Sequence, residues 1–381
     1  MLFASATKRK GIVFDVGTAS VSATLFELSN QHHKPRILKT FRRFHKASLH
    51  KDALHFSRST VKQFSRIIED VHEFTEGSMP ELYIIGLASI FYLGKTQKFH
   101  RGQRKNAQLK VSEIDSIVED GRKKFLDDLR REDIIVFENI SMKTLLNGYL
   151  IESPVGCSAD EIDVWLRLSA TSRDLYDRLT EIIRSERRDA EIRFSTFPVS
   201  TWALMRQTLP KESSAIMVDI GGELTEVTFI ADGIITEVLS LPFGVLNVLL
   251  RISENERIDL ENAFSLLKSY TSGMLESEAE RNLSLLIRKE IKRWEQLFER
   301  VWQEASRESM VNIKMFFLGG GAFLNDVKTI LTPPLLHPDI SKGLHVSVVT
   351  PEAFREQFEE YCCVEGPGDF GLVSLILNAR R

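Results

Sequence analysis

Very little in this chain can cross-link it. Its 381 residues include three cysteines, Cys157, Cys362 and Cys363, an odd number without the spacing of a zinc site. Cys362 and Cys363 are adjacent and would bridge each other only with backbone strain. Reduced thiols of a cytosolic protein are therefore expected. Long apolar runs are missing too. The longest, Tyr83 to Gly94, falls well short of the ~20 residues that span a bilayer, and Met1 to Lys10 holds no apolar stretch of signal-peptide length. Nor is there an excess of charge of one sign: 50 Lys and Arg against 53 Asp and Glu leave a net charge of −3. That balance gives no global footprint for nucleic acid or an anionic bilayer. With 21 Gly, 11 Pro and 43% apolar residues, the chain is neither collagenous nor disordered. A soluble globular protein of roughly two to three domains, at about 150 residues each, is the expectation.

What is present begins with a repeated unit. Gly11 to Phe14 reads as a buried strand, Asp15-Val16-Gly17-Thr18-Ala19-Ser20 as a tight turn, and Val21 to Leu28 as a second strand. Ile37 to Phe44 extends the sheet, and Phe56, Val61, Phe64, Ile67, Ile68 and Val71 follow at helical spacing. Far downstream the pattern returns. Ala215 to Val218 is a strand, Asp219-Ile220-Gly221-Gly222 a turn and Thr225 to Ala231 a strand. Asp232-Gly233 then makes a two-residue hairpin into Ile234 to Leu241. A strand, Asp-x-Gly, strand, strand unit thus occurs twice, as in an internal duplication with a large insertion in its first half.

The insertion reads as a small α+β module. Glu81 to Leu93 is strand-like, Gln97 to Gln108 is a polar, basic, mobile loop, and Ser112 with Asp115 caps a helix running to about Arg131. Ile134 to Glu138 is a short strand. Ile162, Val164, Leu166 and Leu168 alternate with polar residues in a strand with one buried face, and Ser172 caps the next helix. Past the second unit, Leu283, Ile287, Ile291, Trp294, Phe298 and Trp302 mark one face of a long helix, expected in the core. Ile313 to Leu318 is a strand ending in Gly319-Gly320-Gly321-Ala322, followed by a helix bearing Phe323, Val327, Ile330 and Leu331.

Asp-x-Gly turns between antiparallel strands suit a phosphate. Glycine lets backbone N–H groups approach phosphate oxygens, while the carboxylate holds Mg²⁺ through water. Thr18, Ser20 and Thr225 add hydroxyls. A strand running into Gly-Gly-Gly-Ala and a helix lets a flat ligand lie against backbone, with the helix N-terminus near its phosphates. Each feature alone is ordinary turn chemistry. All three together point to a nucleotide.

This combination resembles the actin/Hsp70/sugar-kinase superfamily, and within it the families of cell-division protein FtsA and type IV pilus assembly protein PilM. The resemblance implies an α/β fold of two actin-like (RNase H-like) domains around a nucleotide cleft. Their four parts would be domain I at 1–80 and 172–208, a small SHS2/1C module inserted at 81–171, domain II at 209–250 and 312–381, and a helical subdomain at 251–311. It implies ATP or ADP with Mg²⁺. Asp15, Gly17, Thr18, Ala19 and Ser20 form the first phosphate loop, and Asp219, Gly221, Gly222 and Thr225 the second. Asp15 and Asp219 hold the metal through water. Gly319, Gly320, Gly321 and Ala322 lie at the adenosine, with Lys268 where relatives place a ribose- or adenine-side lysine. Ser153-Pro154-Val155-Gly156 before an alternating strand resembles the FtsA form of the insertion. The ending, Leu375 to Arg381 directly after a core helix, resembles PilM, which is held by a membrane partner.

Departures temper these implications. Glu223 stands where a third Gly is common, and Leu224 where Ser or Thr is frequent. Phe197 to Trp202, where hydrolytic members orient water, offers only hydroxyls, so slow turnover at most is expected and no catalytic residue is assigned. Lys34, Arg36, Lys39, Arg42, Arg43, Lys46, Lys51, Arg58 and Lys62 form one basic stretch. Lys95, Lys98, Arg101, Arg104, Lys105 and Lys110 form another. Both read first as solvated charge, or else as a patch for acidic tails or anionic headgroups. The leading expectation is a nucleotide-gated adaptor at the cytoplasmic face of the inner membrane. It would recruit the cytoplasmic segment of a membrane protein of the division or pilus machinery, or a copy of itself. A small-molecule kinase and a degenerate, nucleotide-free scaffold are the alternatives.

Overall fold

A computed structural model describes residues 8–29, 34–45, 53–207, 209, 213–305, 314–324 and 345–379. Its frame is a pair of five-stranded sheets of the same topology. The first sheet runs β3-β2-β1-β4-β9, with β1 (Lys8–Val16), β2 (Ser20–Ser29), β3 (Pro35–Phe44), β4 (Leu82–Leu87) and β9 (Glu191–Thr196). The second runs β12-β11-β10-β13-β14, with β10 (Ala215–Ile220), β11 (Thr225–Ala231), β12 (Ile234–Leu241), β13 (Lys314–Leu318) and β14 (His345–Val348). In each, the first strand pairs antiparallel with the second and parallel with the strand on its other side. The duplication expected from the two Asp-x-Gly units is thereby realised strand for strand.

Alternation along the central strands sorts their side chains into two layers. Ile12, Phe14 and Val16 face outward onto α1 (Ala53–Phe74) and α3 (Arg173–Glu186). Ile216, Val218 and Ile220 face outward onto α5 (Val245–Glu256), α6 (Leu260–Thr271) and α7 (Ser277–Ala305). The opposite faces, with Val13 on one and Met217 on the other, share a single core with α4 (Phe197–Met205) and α8 (Phe370–Asn378). Both helices are apolar nearly all round, as a layer between two sheets requires. The fit is close. A Cβ on Gly86 would sit 2.7 Å from Leu375 Cδ1 and 2.9 Å from Phe197. Along α7 the expected stripe, Leu283 to Trp302, is buried.

The inserted module is a four-stranded sheet, β5-β8-β6-β7, covered by α2 (Val111–Leu129). Its strands are β5 (Tyr92–Gln108), β6 (Ile134–Leu146), β7 (Tyr149–Leu150) and β8 (Ser158–Ser172). Three expectations change here. Leu82–Leu87 belongs to the first sheet, so the module's own sheet begins at Tyr92. The supposed loop at Gln97 to Gln108 is the second half of β5, because β8 supplies a long antiparallel partner. Three cations of β5 pair with acids: Lys95 with Asp128, Lys98 with Asp163, and Arg101 with Asp120. The α2 terminus is closed by Glu113, whose carboxylate accepts the Lys110 N–H at 2.7 Å, rather than by Ser112 and Asp115. The Ser172 cap is present, its hydroxyl accepting the Leu175 N–H at 3.2 Å. The helix expected from Phe323 through Leu331 falls largely outside the described residues.

One carboxylate fastens the module to the first sheet. Glu138 of β6 is buried and accepts from Ser195 and Ser169 hydroxyls at 2.8 Å, the Thr196 hydroxyl at 2.9 Å and the Thr196 N–H at 3.0 Å. Replacing it with Ala takes the acceptor from three buried donors, the Ser169 hydroxyl and the Thr196 hydroxyl and N–H. Glu138→Ala should cost of the order of 3 kcal/mol in denaturant unfolding and expose the β6–β9 junction to protease. An unchanged midpoint would show that the module is held elsewhere.

Candidate functional site

The register of the strands builds the site. In the first sheet Asp15 lies opposite Ser22, and Ser22 opposite Arg42, so the three side chains form a row on the inner face. In the second sheet the equivalent row is Asp219, Glu226 and Ser240. Each row is capped from elsewhere. The Arg42 guanidinium donates to Ser22 Oγ at 2.9 Å and pairs with Asp369, which stands at the start of α8 and is 2% exposed. Asp369 also accepts the Glu365 N–H at 2.7 Å. On the other side, Glu226 accepts from Tyr92 Oη at 3.3 Å, and Ser240 donates to Ser89 Oγ at 2.8 Å. Ser89 and Tyr92 form the base of the inserted module. The module therefore touches the second half at the row that carries Asp219.

Burial sets the charge state of these acids. It pushes Asp15 up to about 7, helped by Asp219 and, less, by Asp369, against the pull of Arg42. Asp219 is pushed up to about 6 by burial. Glu226 rises to about 7 through burial and then the Asp219 charge, against hydrogen bonds from Ser89 and Tyr92 and the charge of Arg167.

The three glycine turns meet at these aspartates. Gly17 N–H donates to Ser20 C=O at 3.0 Å, and Gly221 N–H to Leu224 C=O at 2.9 Å, the same closure in both hairpins. Gly319, at φ 78°, lies so close to Asp219 that any Cβ would strike its carboxylate, and Gly321 N–H donates to Ile220 C=O at 2.8 Å. Gly320 faces Gly368 across a gap between bare backbones. His45 braces the first turn, its Nδ1 2.9 Å from Ser59 Oγ and its Nε2 3.3 Å from Gly17 C=O.

The two hairpins also touch each other. Glu223 N–H donates to Thr18 Oγ1 at 3.0 Å, and Gly222 packs on Ala19 so tightly that a Cβ there would overlap it. As for a Mg-nucleotide, the charge fits its cation: four carboxylates, Asp15, Asp219, Glu226 and Asp369, gather with Arg42 among them. The spacing admits phosphates between the hairpins only once the two halves move apart. Such a ligand, when bound, would bring polyphosphate charge and a cation to the carboxylates.

Among the expected residues, Asp15, Gly17, Thr18, Ala19, Asp219, Gly221, Gly222 and the Gly319 to Ala322 turn come together, with Ser20 closing the first turn. Thr225 does not join them. It lies opposite Ile220, on the face turned to α7, and its hydroxyl donates to Phe243 C=O at 2.8 Å and accepts from Trp294 Nε1 at 2.9 Å. Strand alternation places it in the core and puts its neighbour Glu226 on the inner face. Lys268 stands exposed on α6, and no described side-chain contact joins it to the three turns. Sequence reasoning missed Arg42, Asp369, Glu226 and Tyr92. Glu226 carried a signal, as a carboxylate inside an otherwise apolar strand. Asp369 carried one in the Gly366-Pro367-Gly368 turn before an apolar helix.

No family model and no curated protein matches this sequence. Solved structures do. The chain is similar to one in the PilM–PilN type IV pilus biogenesis complex, with a TM-score of 0.63 and 13% identity over 99% of both chains. Ethanolamine utilization protein EutJ from Carboxydothermus hydrogenoformans aligns at TM-score 0.49 and 13% identity, over 97% of this chain and 89% of that one. A Bacteroides thetaiotaomicron protein with an actin-like ATPase fold aligns at 0.43 and 9% identity, over 91% and 93%. The fold is one of two actin-like domains, with the architecture of the PilM–PilN neighbour along nearly the whole chain. No described helix is long and apolar enough to cross a membrane.

The raised acids predict a pH dependence. A carboxyl held above its unfolded value binds its proton more tightly in the folded chain. The stability it adds is complete below pH ~4 and is lost as pH rises through about 6 to 7. The lowered acids Asp128, Asp163 and Glu191 titrate below that window. Urea stability should therefore fall by roughly 1–3 kcal/mol between pH 5 and 8. Asp219→Asn and Glu226→Gln should each flatten the profile. A midpoint that climbs with pH would contradict this electrostatic account.

Proposed function

We propose that the protein is an ATP-binding, actin-fold adaptor whose cleft controls how its inserted module presents itself to a membrane-bound assembly. The observation behind this reading is the double attachment of the module. Glu138 holds it to the first half, while Tyr92 and Ser89 hold it to the second half through Glu226 and Ser240. Separation of the halves must break the second attachment or move the module. A ligand that prefers one arrangement then shifts the module's position by its differential affinity.

In this reading the parts are the two actin-like domains, the module and a helical subdomain around α5 to α7. Gly17 to Ser20 and Gly221 with Gly222 take the phosphates, Asp15 and Asp219 hold Mg²⁺ through water, and Gly319 to Ala322 take the adenosine. The partner is an amphipathic cytoplasmic segment of a membrane protein, met by the module and its junction with the first domain. Lys95, Lys98 and Arg101 of β5 are paired within the module, whereas Ile90 and Leu93 at the junction are exposed. Apolar contact rather than net charge then carries the affinity, and salt should weaken it little. The protein would work at the inner face of the cell membrane, and the PilM-like architecture favours a pilus-type platform over division machinery. Turnover is slow.

A second reading, a scaffold without nucleotide, draws on the Glu223 to Thr18 hydrogen bond that closes the hairpins on each other. Calorimetry separates the two. The wild type should bind Mg-ATP, the Asp15→Ala, Asp219→Ala double variant should not, and hydrolysis should stay below ~1 s⁻¹. Tyr92→Phe should keep nucleotide binding but reduce the coupling between nucleotide and partner by about fivefold. Absence of ATP binding in both the wild type and the Thr18→Val variant, whose hairpins are freed, would leave the scaffold reading standing.

A further inference from the structure

The segment before α8 carries chemistry that the cleft does not use. Glu359 N–H donates to Pro35 C=O at 2.9 Å, and Ile37 N–H to Glu360 C=O at 2.9 Å, so this stretch lies along the outer strand β3. Arg36 pairs with Glu360 beside them. Cys362 continues the attachment, its thiol donating to Ile37 C=O at 3.1 Å. Cys363 follows with its own sulfur exposed, its backbone in the left-handed region at φ 59° and its Sγ 3.3 Å from Cys362 Sγ. Two residues on, Glu365 N–H holds the carboxylate of Asp369. The segment is a strap, tied to β3 at one end and to the cleft acid at the other.

We propose that Cys362 and Cys363 are a redox-active vicinal dithiol, oxidised by low-molecular-weight disulfides, and that closing the pair loosens the strap from β3. This goes beyond the adaptor reading and does not depend on nucleotide.

Three features support it. The sulfurs already touch. Their access differs: Cys363 is exposed, while Cys362 is partly buried and its thiol is pushed up by burial and by the neighbouring sulfur. Cys363 therefore attacks and Cys362 resolves. Finally, Cα atoms of adjacent residues stand ~3.8 Å apart across a trans peptide, closer than the ~4.4–6.8 Å of ordinary disulfides. The resulting ring is strained, and strained, accessible disulfides are the labile kind. The left-handed backbone at Cys363 is uncommon for a non-glycine residue and already turns the pair.

The exchange balances with oxidised glutathione as the oxidant. Cys363 thiolate attacks one of its sulfurs, a mixed disulfide forms, and one glutathione thiolate leaves. Cys362, its proton released to solvent, attacks the Cys363 sulfur and expels the second. Two electrons pass from the pair to the oxidant, and the chain loses two hydrogens. The closed ring has no S–H to donate to Ile37 C=O. Cys157 sits in the module, its thiol donating to Ser153 C=O at 3.5 Å, with no second sulfur beside it among the described residues.

The test uses the full chain, treated with oxidised glutathione, quenched by alkylation and mapped by peptide mass. The wild type should lose two of its three thiols, retain no glutathione on the pair, and recover both on adding excess reduced glutathione. Cys362→Ser should stop at a glutathione adduct on Cys363. Amide exchange at Ile37 and Glu359 should become about tenfold faster in the oxidised wild type. An adduct on wild-type Cys363 with Cys362 still free, or a pair that never reacts, overturns the dithiol. Ring closure with unchanged exchange overturns the loosened strap.

Discussion

Two carboxylates brought close enough to feel each other's charge where the sheets meet are the constraint on which the rest depends. Asp15 and Asp219 each stand one residue before the end of the first strand of a sheet, half-buried, with protein packed around their carboxyls. Like charges held out of water are costly, and Arg42 and the hydroxyls of Ser89 and Tyr92 offset part of that cost. Arg42 reaches across Ser22 toward one acid, Asp369 anchors Arg42, and hydroxyls from the module satisfy Glu226 beside the other. Protonation completes the balance near neutral pH.

Duplication supplied the two rows, and divergence made them unlike. Ser22 and Arg42 on one sheet correspond to Glu226 and Ser240 on the other, so one row sets an acid against a base and the other holds two acids. Each then takes a cap of its own kind. The anionic Asp369 comes to Arg42, and hydroxyls from Ser89 and Tyr92 come to Glu226 and Ser240. The caps arrive from the segments that follow β14 and β4, one from each half of the chain. This exchange of caps ties the halves together beside the core around α4 and α8.

The frame was legible because it repeats. Strands around Asp15 and Asp219, the Asp232-Gly233 hairpin with φ of 51° and 76°, and the α7 stripe all follow from alternation, turn chemistry and helical period. Gln97 to Gln108 was not legible as a strand, since its polar residues gain their reason only from Asp128, Asp163 and Asp120 on other elements. Thr225 misled for a related reason. Its spacing from Asp219 matched a phosphate loop, but only the register with Ile220 shows which face of the sheet it occupies. Arg42 was visible merely as one cation in a basic run. Nothing local marks Asp369 as its partner 327 positions away.

The long strands of the module act as a lever. β8 spans 15 residues from Ser158 to Ser172, about 50 Å when extended. Its fixed end lies beside Glu138 and Tyr92, close to the place where the two halves meet. A rotation of ten degrees at that end carries the far end near Ser158 through roughly 8 Å. Motion too small to disturb the packing of α4 and α8 is thus magnified to a displacement as large as the spacing between neighbouring helices. In the adaptor proposed above, that is how the module's tip would register the state of a cleft far from it.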